Sequence, residues 1–188
     1  MKSLNYIWIA GLILFFTACS EDFVEVTPAG QFLTENYYAN EDQAFSALVG
    51  VYDVLRKNSG GFENMISMMN AGSDDHFAGG GGATDGAGIQ GFSNYTINPT
   101  IMPGSFWSDH YQGIFRANAL LSKLPSTVMD PTLKARFEGE AKTLRAFYYF
   151  NLVRLFRNVP LILEPLTATN RYTVKQANPA EVYAQIEK

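Results

Sequence analysis

Three parts of the sequence set residue types together in ways that could do chemistry. Asp74-Asp75-His76 puts two carboxylates beside an imidazole. That donor set suits a divalent cation. A metal usually needs three or more converging ligands, and the only other histidine is His110. The same carboxylates could work as general acid and base only if held several ångströms apart across a substrate. Neighbours in sequence rarely manage this, so the triplet reads as a polar turn. Calcium held by Asp74 and Asp75 is the alternative, and no metal or cofactor is expected. Gly86-Ala87-Gly88-Ile89-Gln90-Gly91 matches G-x-G-x-x-G. A dinucleotide site needs a strand before it and a helix after it. Neither flank, GGGGATD or FSNYTINP, fits. No Lys-Ser/Thr follows the glycines to make a phosphate loop. Asn94-Tyr95-Thr96 has the N-glycosylation spacing, which would carry no meaning if the chain is bacterial.

The third arrangement is a set of aromatics in or beside a glycine-rich segment: Phe77, Phe92, Tyr95 and Trp107. Sugar rings present apolar C–H faces to aromatic rings, and nearby Asp and Asn side chains can bond hydroxyls. Such sites combine apolar walls with a few placed polar groups. Asn70, Asp74, Asp75, Phe77, Tyr95 and Trp107 are therefore the candidate ligand contacts. Trp107 starts a helix and could face core or ligand equally well. No nucleophile or separated carboxylate pair supports catalysis, and no enzymatic activity is expected.

The single cysteine, Cys19, has its own chemistry. Eleven uncharged residues, Tyr6 to Phe16, precede it after a positive Met1-Lys2 start. That length is a signal-peptide core, too short for a spanning helix. Thr17-Ala18-Cys19 then resembles the lipobox of bacterial lipoproteins, where cleavage frees a cysteine for acylation. Phe16 departs from the usual leucine. Several acyl chains would anchor the protein where one is marginal. Ser20-Glu21-Asp22 resembles the surface-export signal of lipoproteins in Bacteroidetes-type bacteria. The expected division is a signal peptide over 1–18, a tether over 19–33 and a helical domain over 34–188. The mature chain, about 170 residues, can bury a core as one domain. A lipidated Cys19 leaves no thiol for disulfides, zinc or catalysis. The formal charge of −4, with no basic cluster, gives no footprint for nucleic acid.

Helices must position these residues. Asn40 to Gln43 fits a capping box. The Ala44, Phe45, Leu48, Val49, Tyr52, Leu55 stripe follows, up to Asn58-Ser59-Gly60-Gly61. A long irregular segment then runs from about Asn70 to Gly104 with nine glycines. Structureless loops of that length are functional or disordered. A helix near Ser105 carries Phe106/Trp107, Tyr111, Ile114/Phe115, Leu120/Leu121 and Leu124. Asp130-Pro131 caps the next, striped by Leu133, Phe137, Ala141, Leu144, Tyr148, Leu152 and Leu155, with Phe147 and Phe150 widening the face. The two make an αα-hairpin. The stripe aromatics Phe45, Tyr52, Tyr111, Phe115, Phe137 and Tyr148 are expected in the core. Asn178-Pro179-Ala180-Glu181 opens a last helix whose apolar face (Val182, Tyr183, Ile186) stays uncovered at Lys188, so the chain reads as incomplete.

Gly139 to Ile162, GEAKTLRAFYYFNLVRLFRNVPLI, resembles the signature helix of the SusD/RagB family of outer-membrane nutrient-uptake lipoproteins. Val26 to Tyr38, Glu41 to Arg56, Phe106 to Leu124 and Pro179 to Lys188 follow the family order. The resemblance covers essentially the whole chain. It implies an all-α fold of tetratricopeptide-like helix pairs with long irregular loops, incomplete at the C-terminus. It also implies a non-catalytic, lipid-anchored outer-membrane protein facing the cell exterior. Such a protein would bind oligosaccharide and pass it to a SusC-like TonB-dependent transporter. Arg157-Asn158 stands where the family commonly has glycine, and the Gly79 to Gly82 run matches no family hallmark. The alternative is a structural docking lipoprotein that binds no nutrient itself.

Overall fold

A computed structural model describes residues 37–82 and 84–188; the leader, Cys19 and the tether lie outside the described residues. Six α-helices appear among them: α1 Glu41–Tyr52, α2 Met65–Ala71, α3 Ala87–Ser93, α4 Gly104–Lys123, α5 Pro131–Phe156 and α6 Pro179–Ile186. A two-residue antiparallel ladder pairs β1 (Val159–Pro160) with β2 (Gln176–Ala177). The all-α class follows as expected. None of these helices is long and apolar enough to cross a membrane.

Four of the six described helices begin where the sequence supplies a side-chain cap, while α3 and α4 start without one. Asn40 accepts from the Gln43 N–H at 3.1 Å, and the Gln43 side chain accepts from the Ala39 N–H at 2.8 Å. Asp130 takes the Thr132 and Leu133 N–H groups at 2.9 and 3.0 Å ahead of Pro131. Asn178 and Glu181 form a complete reciprocal box, with bonds of 3.1 and 2.8 Å. Each satisfies N–H groups that a helix start leaves without partners.

α4 and α5 run antiparallel. Arg145 reaches Asn118 on one turn, and the Tyr148 ring lies against Gly113 further along. α1 runs antiparallel to α4, since Arg116 bonds the Gly50 carbonyl and Lys57 pairs with Asp109. Gly113 lets α4 and α5 approach closely, because a Cβ there would collide with the Tyr148 ring. The core follows from this layer: Ala44, Leu48 and Val51 from α1, Ile114, Ala117 and Leu120 from α4, and Ala141, Tyr148, Tyr149 and Leu152 from α5.

Part of the expected core is on the surface. Phe45, Tyr52 and Phe115 are 55 %, 42 % and 58 % exposed. Phe147 and Phe150 are also exposed, while Tyr111 is partly buried and Phe137 and Tyr148 are buried. The reason is angular. Successive helical residues are about 100° apart, and α1 meets its neighbours along the Ala44–Leu48–Val51 seam, so Phe45, Val49 and Tyr52 turn away from it. The Tyr52 hydroxyl instead donates to Glu140 at 3.0 Å on the surface.

The segment expected to be irregular from Asn70 to Gly104 is partly helical. α2 ends inside it, and α3 lies within it and packs on α2. Asn64 caps α2, accepting from Ile66 and Ser67 at 3.0 and 3.1 Å. Neither helix has enough turns to show a clear apolar period, which is why the sequence pattern hides them.

Candidate ligand-binding surface

The Asn70–Gly104 region is held in place by its own polar groups. Met68 is fully buried between α2 and α3, next to Gly88, where a Cβ would meet the Met68 side chain. The Gln90 amide is buried and donates to the Gly79 carbonyl. Asp85 accepts from the Gly81 N–H at 2.9 Å. Gly79 and Gly80 sit at φ +70° and +89°, a conformation that side chains resist. The four-glycine run is therefore a tight fold-back around Asp85. The G-x-G-x-x-G segment does enter a helix, α3, contrary to the reading of its flanks. No strand precedes it among the described residues, and seven residues make it too short to serve as a phosphate site.

The candidate contacts fall into two groups. The first surrounds the end of α2. Asn70 sits in its last turn, and the exposed Asp74, Asp75 and Phe77 follow it. The Tyr95 hydroxyl donates to the Gly72 carbonyl at 2.9 Å, bringing that ring beside the same turn. Tyr95 takes φ +56°, and its ring is 78 % exposed. Phe77 is 80 % exposed. Among the described residues no three His, Cys, Asp or Glu side chains gather to hold a metal.

Trp107 forms the second group. It packs 4.8 Å from the Tyr111 ring and edge-on to Phe156 at 5.2 Å, with 37 % of its surface open. It borders a groove of about 760 Å³ whose other walls include Ile97, Pro99, Met102 and Leu155. The Tyr111 hydroxyl beneath donates to the Pro160 carbonyl at 2.7 Å, and burial pushes that phenol well above its usual range. Trp107 thus faces both core and surface. The segment between Tyr95 and Gly104 joins the two groups, with Asn98 turning the chain by accepting from the Thr100 N–H at 3.0 Å.

One polar cluster escaped the sequence reading. Ser105, Asp109, His110 and Asn151 line a separate cavity between the Lys57–Ile66 turn, α4 and α5. Asp109 and Asn151 are 9 % and 6 % exposed. The available signal was Ser105 and Asp109, four residues apart on one helical face beside the apolar Phe106.

Residues 29–188 match the SusD-like family described as starch-binding and associating with the outer membrane. A laminarin-binding SusD-like protein of known structure is 65 % identical, with a TM-score of 0.73 over 80 % of this chain and 32 % of its own. Surface glycan-binding protein A from Bacteroides uniformis is 32 % identical with a TM-score of 0.68, over 77 % of this chain and 32 % of its own. SusD-like protein P25 from Formosa agariphila is 26 % identical across 88 % of this chain and 32 % of its own. The chain spans about a third of the length of these relatives.

Proposed function

The chain belongs to the SusD-like family, and on that premise we propose that it is part of a cell-surface glycan-binding lipoprotein without catalytic activity. The observation that carries the reading is the 65 % identity to a laminarin-binding SusD-like protein, which makes laminarin the first ligand to test. Exposed Phe77, Tyr95 and Trp107 offer faces for sugar rings. Asn70, Asp74 and Asp75 offer hydroxyl partners near the first two. Two of these rings need little ordering on binding, because a neighbour already holds each: Phe156 packs edge-on to Trp107, and the Gly72 carbonyl accepts from Tyr95. Acyl chains on Cys19 would tie the protein to the outer membrane, and a SusC-like TonB-dependent transporter would receive the glycan.

Affinity electrophoresis of the full-length protein in gels with and without laminarin tests the reading. Retardation by laminarin that weakens in Trp107→Ala and Asp74→Ala is expected. Equal mobility in both gels would refute laminarin binding. Mass spectrometry of the membrane-extracted protein tests the anchor, since a Cys19 peptide without acyl mass would remove it.

A further inference from the structure

A cavity of about 180 Å³ opens between the Lys57–Ile66 turn, the start of α4 and the middle of α5. Its polar groups are unusual for a site this close to the core. Ser105 Oγ is buried and has no hydrogen-bond partner among the described residues. An orphaned buried hydroxyl is costly unless a polar group occupies the space beside it. Asp109 accepts from the Ser59 hydroxyl at 2.7 Å and pairs with Lys57 at 3.1 Å. Both act on Oδ1, so Oδ2 keeps its acceptor capacity. His110 Nδ1 lies 2.6 Å from the Phe106 carbonyl and must donate to it, which makes Nε2 of the neutral ring an acceptor. Asn151 accepts from Arg154 through Oδ1 at 3.1 Å, so its NH₂ is left to donate.

The turn over the cavity is built to approach Ser105. Gly60 comes so near that a Cβ would lie 2.8 Å from Ser105 Oγ. The lining also carries apolar and aromatic side chains, with Leu55, Ile66 and Phe147 exposed at the rim. Two acceptors, one amide donor and one hydroxyl, set against a ring face, match a compact polyhydroxylated ligand. A cation would meet Lys57 already paired to the one carboxylate, and an anion would meet Asp109.

We propose that this cavity is a binding site for a single sugar ring, separate from the Tyr95 and Trp107 surface, with Ser105, Asp109, His110 and Asn151 bonding its hydroxyls and Phe147 covering its apolar face. The choice of a sugar as occupant rests on the glycan-binding reading; the existence of a polar cavity does not. Its scale suits one ring of a glycan or a free monosaccharide, not a chain.

The test is saturation-transfer NMR with D-glucose on the full-length protein, compared with Ser105→Val and Trp107→Ala. The expected result is transfer that persists in Trp107→Ala and falls at least fivefold in Ser105→Val, with unchanged circular dichroism. Asp109→Asn, nearly the same shape, should reduce transfer as well and guards against a folding defect in the valine variant. Absence of transfer, or transfer that depends on Trp107 and not on Ser105 or Asp109, overturns the inference. Laminarin retardation run in parallel separates the two claims. If laminarin is retained but glucose ignores Ser105, only the cavity site falls. If glucose depends on Ser105 and laminarin is not retained, the cavity site stands and the laminarin reading falls.

Discussion

Tyr148 and Val51 lie 97 positions apart, and the buried Tyr148 hydroxyl donates to the Val51 carbonyl at 2.7 Å. The bond joins the middle of α5 to the C-terminal turn of α1, where helix carbonyls lack intrahelical partners. Burial pushes the Tyr148 phenol up to about 12, so it remains a neutral donor at every physiological pH. Tyr148→Phe keeps the ring and removes this bond, leaving the Val51 carbonyl only the Asp53 N–H. The expected loss is about 0.5–1.5 kcal/mol, read as a lower urea midpoint at unchanged slope. An unchanged midpoint would show that water replaces the hydroxyl.

The same ring covers Gly113, where an added Cβ would strike it. Gly113→Ala should destabilise the protein by about 1–3 kcal/mol through overpacking, despite alanine's better helix propensity. Combining it with Tyr148→Leu, in a double-mutant cycle, should recover part of that loss. Strict additivity would mean that the two positions do not meet.

Trp107 and Tyr95 differ in what they hold together. Tyr95→Ala removes an exposed ring and one bond to Gly72, so stability should change by less than about 1 kcal/mol. Trp107→Ala also opens the contacts to Tyr111 and Phe156 and should lower the melting temperature. Both should weaken laminarin retention, by about tenfold for a ring central to binding. Normal retention by both would move the glycan contacts elsewhere.

Stability should depend on His110. Burial holds its pKa below the usual value, against the opposing pull of the Phe106 hydrogen bond and the Asp109 charge. Because the folded pKa is the lower one, the unfolded chain takes up the proton first. Stability is full above the unfolded pKa of about 6.5 and falls as pH drops from there through the folded pKa. Asp53 and Glu140 are also held low, by Arg56 and by Arg136, but their windows lie at more acid pH, in the carboxylate range. Thermal melts between pH 7 and 5 should therefore decline in the wild type and flatten in His110→Asn. Equal slopes would place the titration elsewhere.

Arg157 ends α5 at φ +62° and ψ −83°, close to the strained γ-turn conformation. Arg157→Gly removes the Cβ conflict while adding freedom to the unfolded chain. The expected net gain is about 1 kcal/mol, visible as a higher melting temperature. A loss would show that the Arg157 side chain contributes more than its backbone costs.

Much of this architecture was legible in the residues. The caps Asn40, Asp130 and Asn178 mark helix starts, because local side-chain-to-backbone bonds need only a few neighbouring residues. Regular steps from Leu133 to Leu155 mark the long α5 for a similar reason, since period alone encodes a face. The resemblance carried by Gly139 to Ile162 named the family. Tertiary structure decided the rest. Which part of an apolar stripe is buried depends on the angle at which a neighbour packs, so Ala44 and Val51 went inside while Phe45 and Tyr52 stayed out. The short α2 and α3 form because Met68, Gly88 and Gln90 meet partners distant in sequence. The Tyr95–Gly72 bond joins segments that only folding brings together, and the i, i+4 spacing of Ser105 and Asp109 could not announce that Asn151 and the Lys57–Ile66 turn would close a cavity over them.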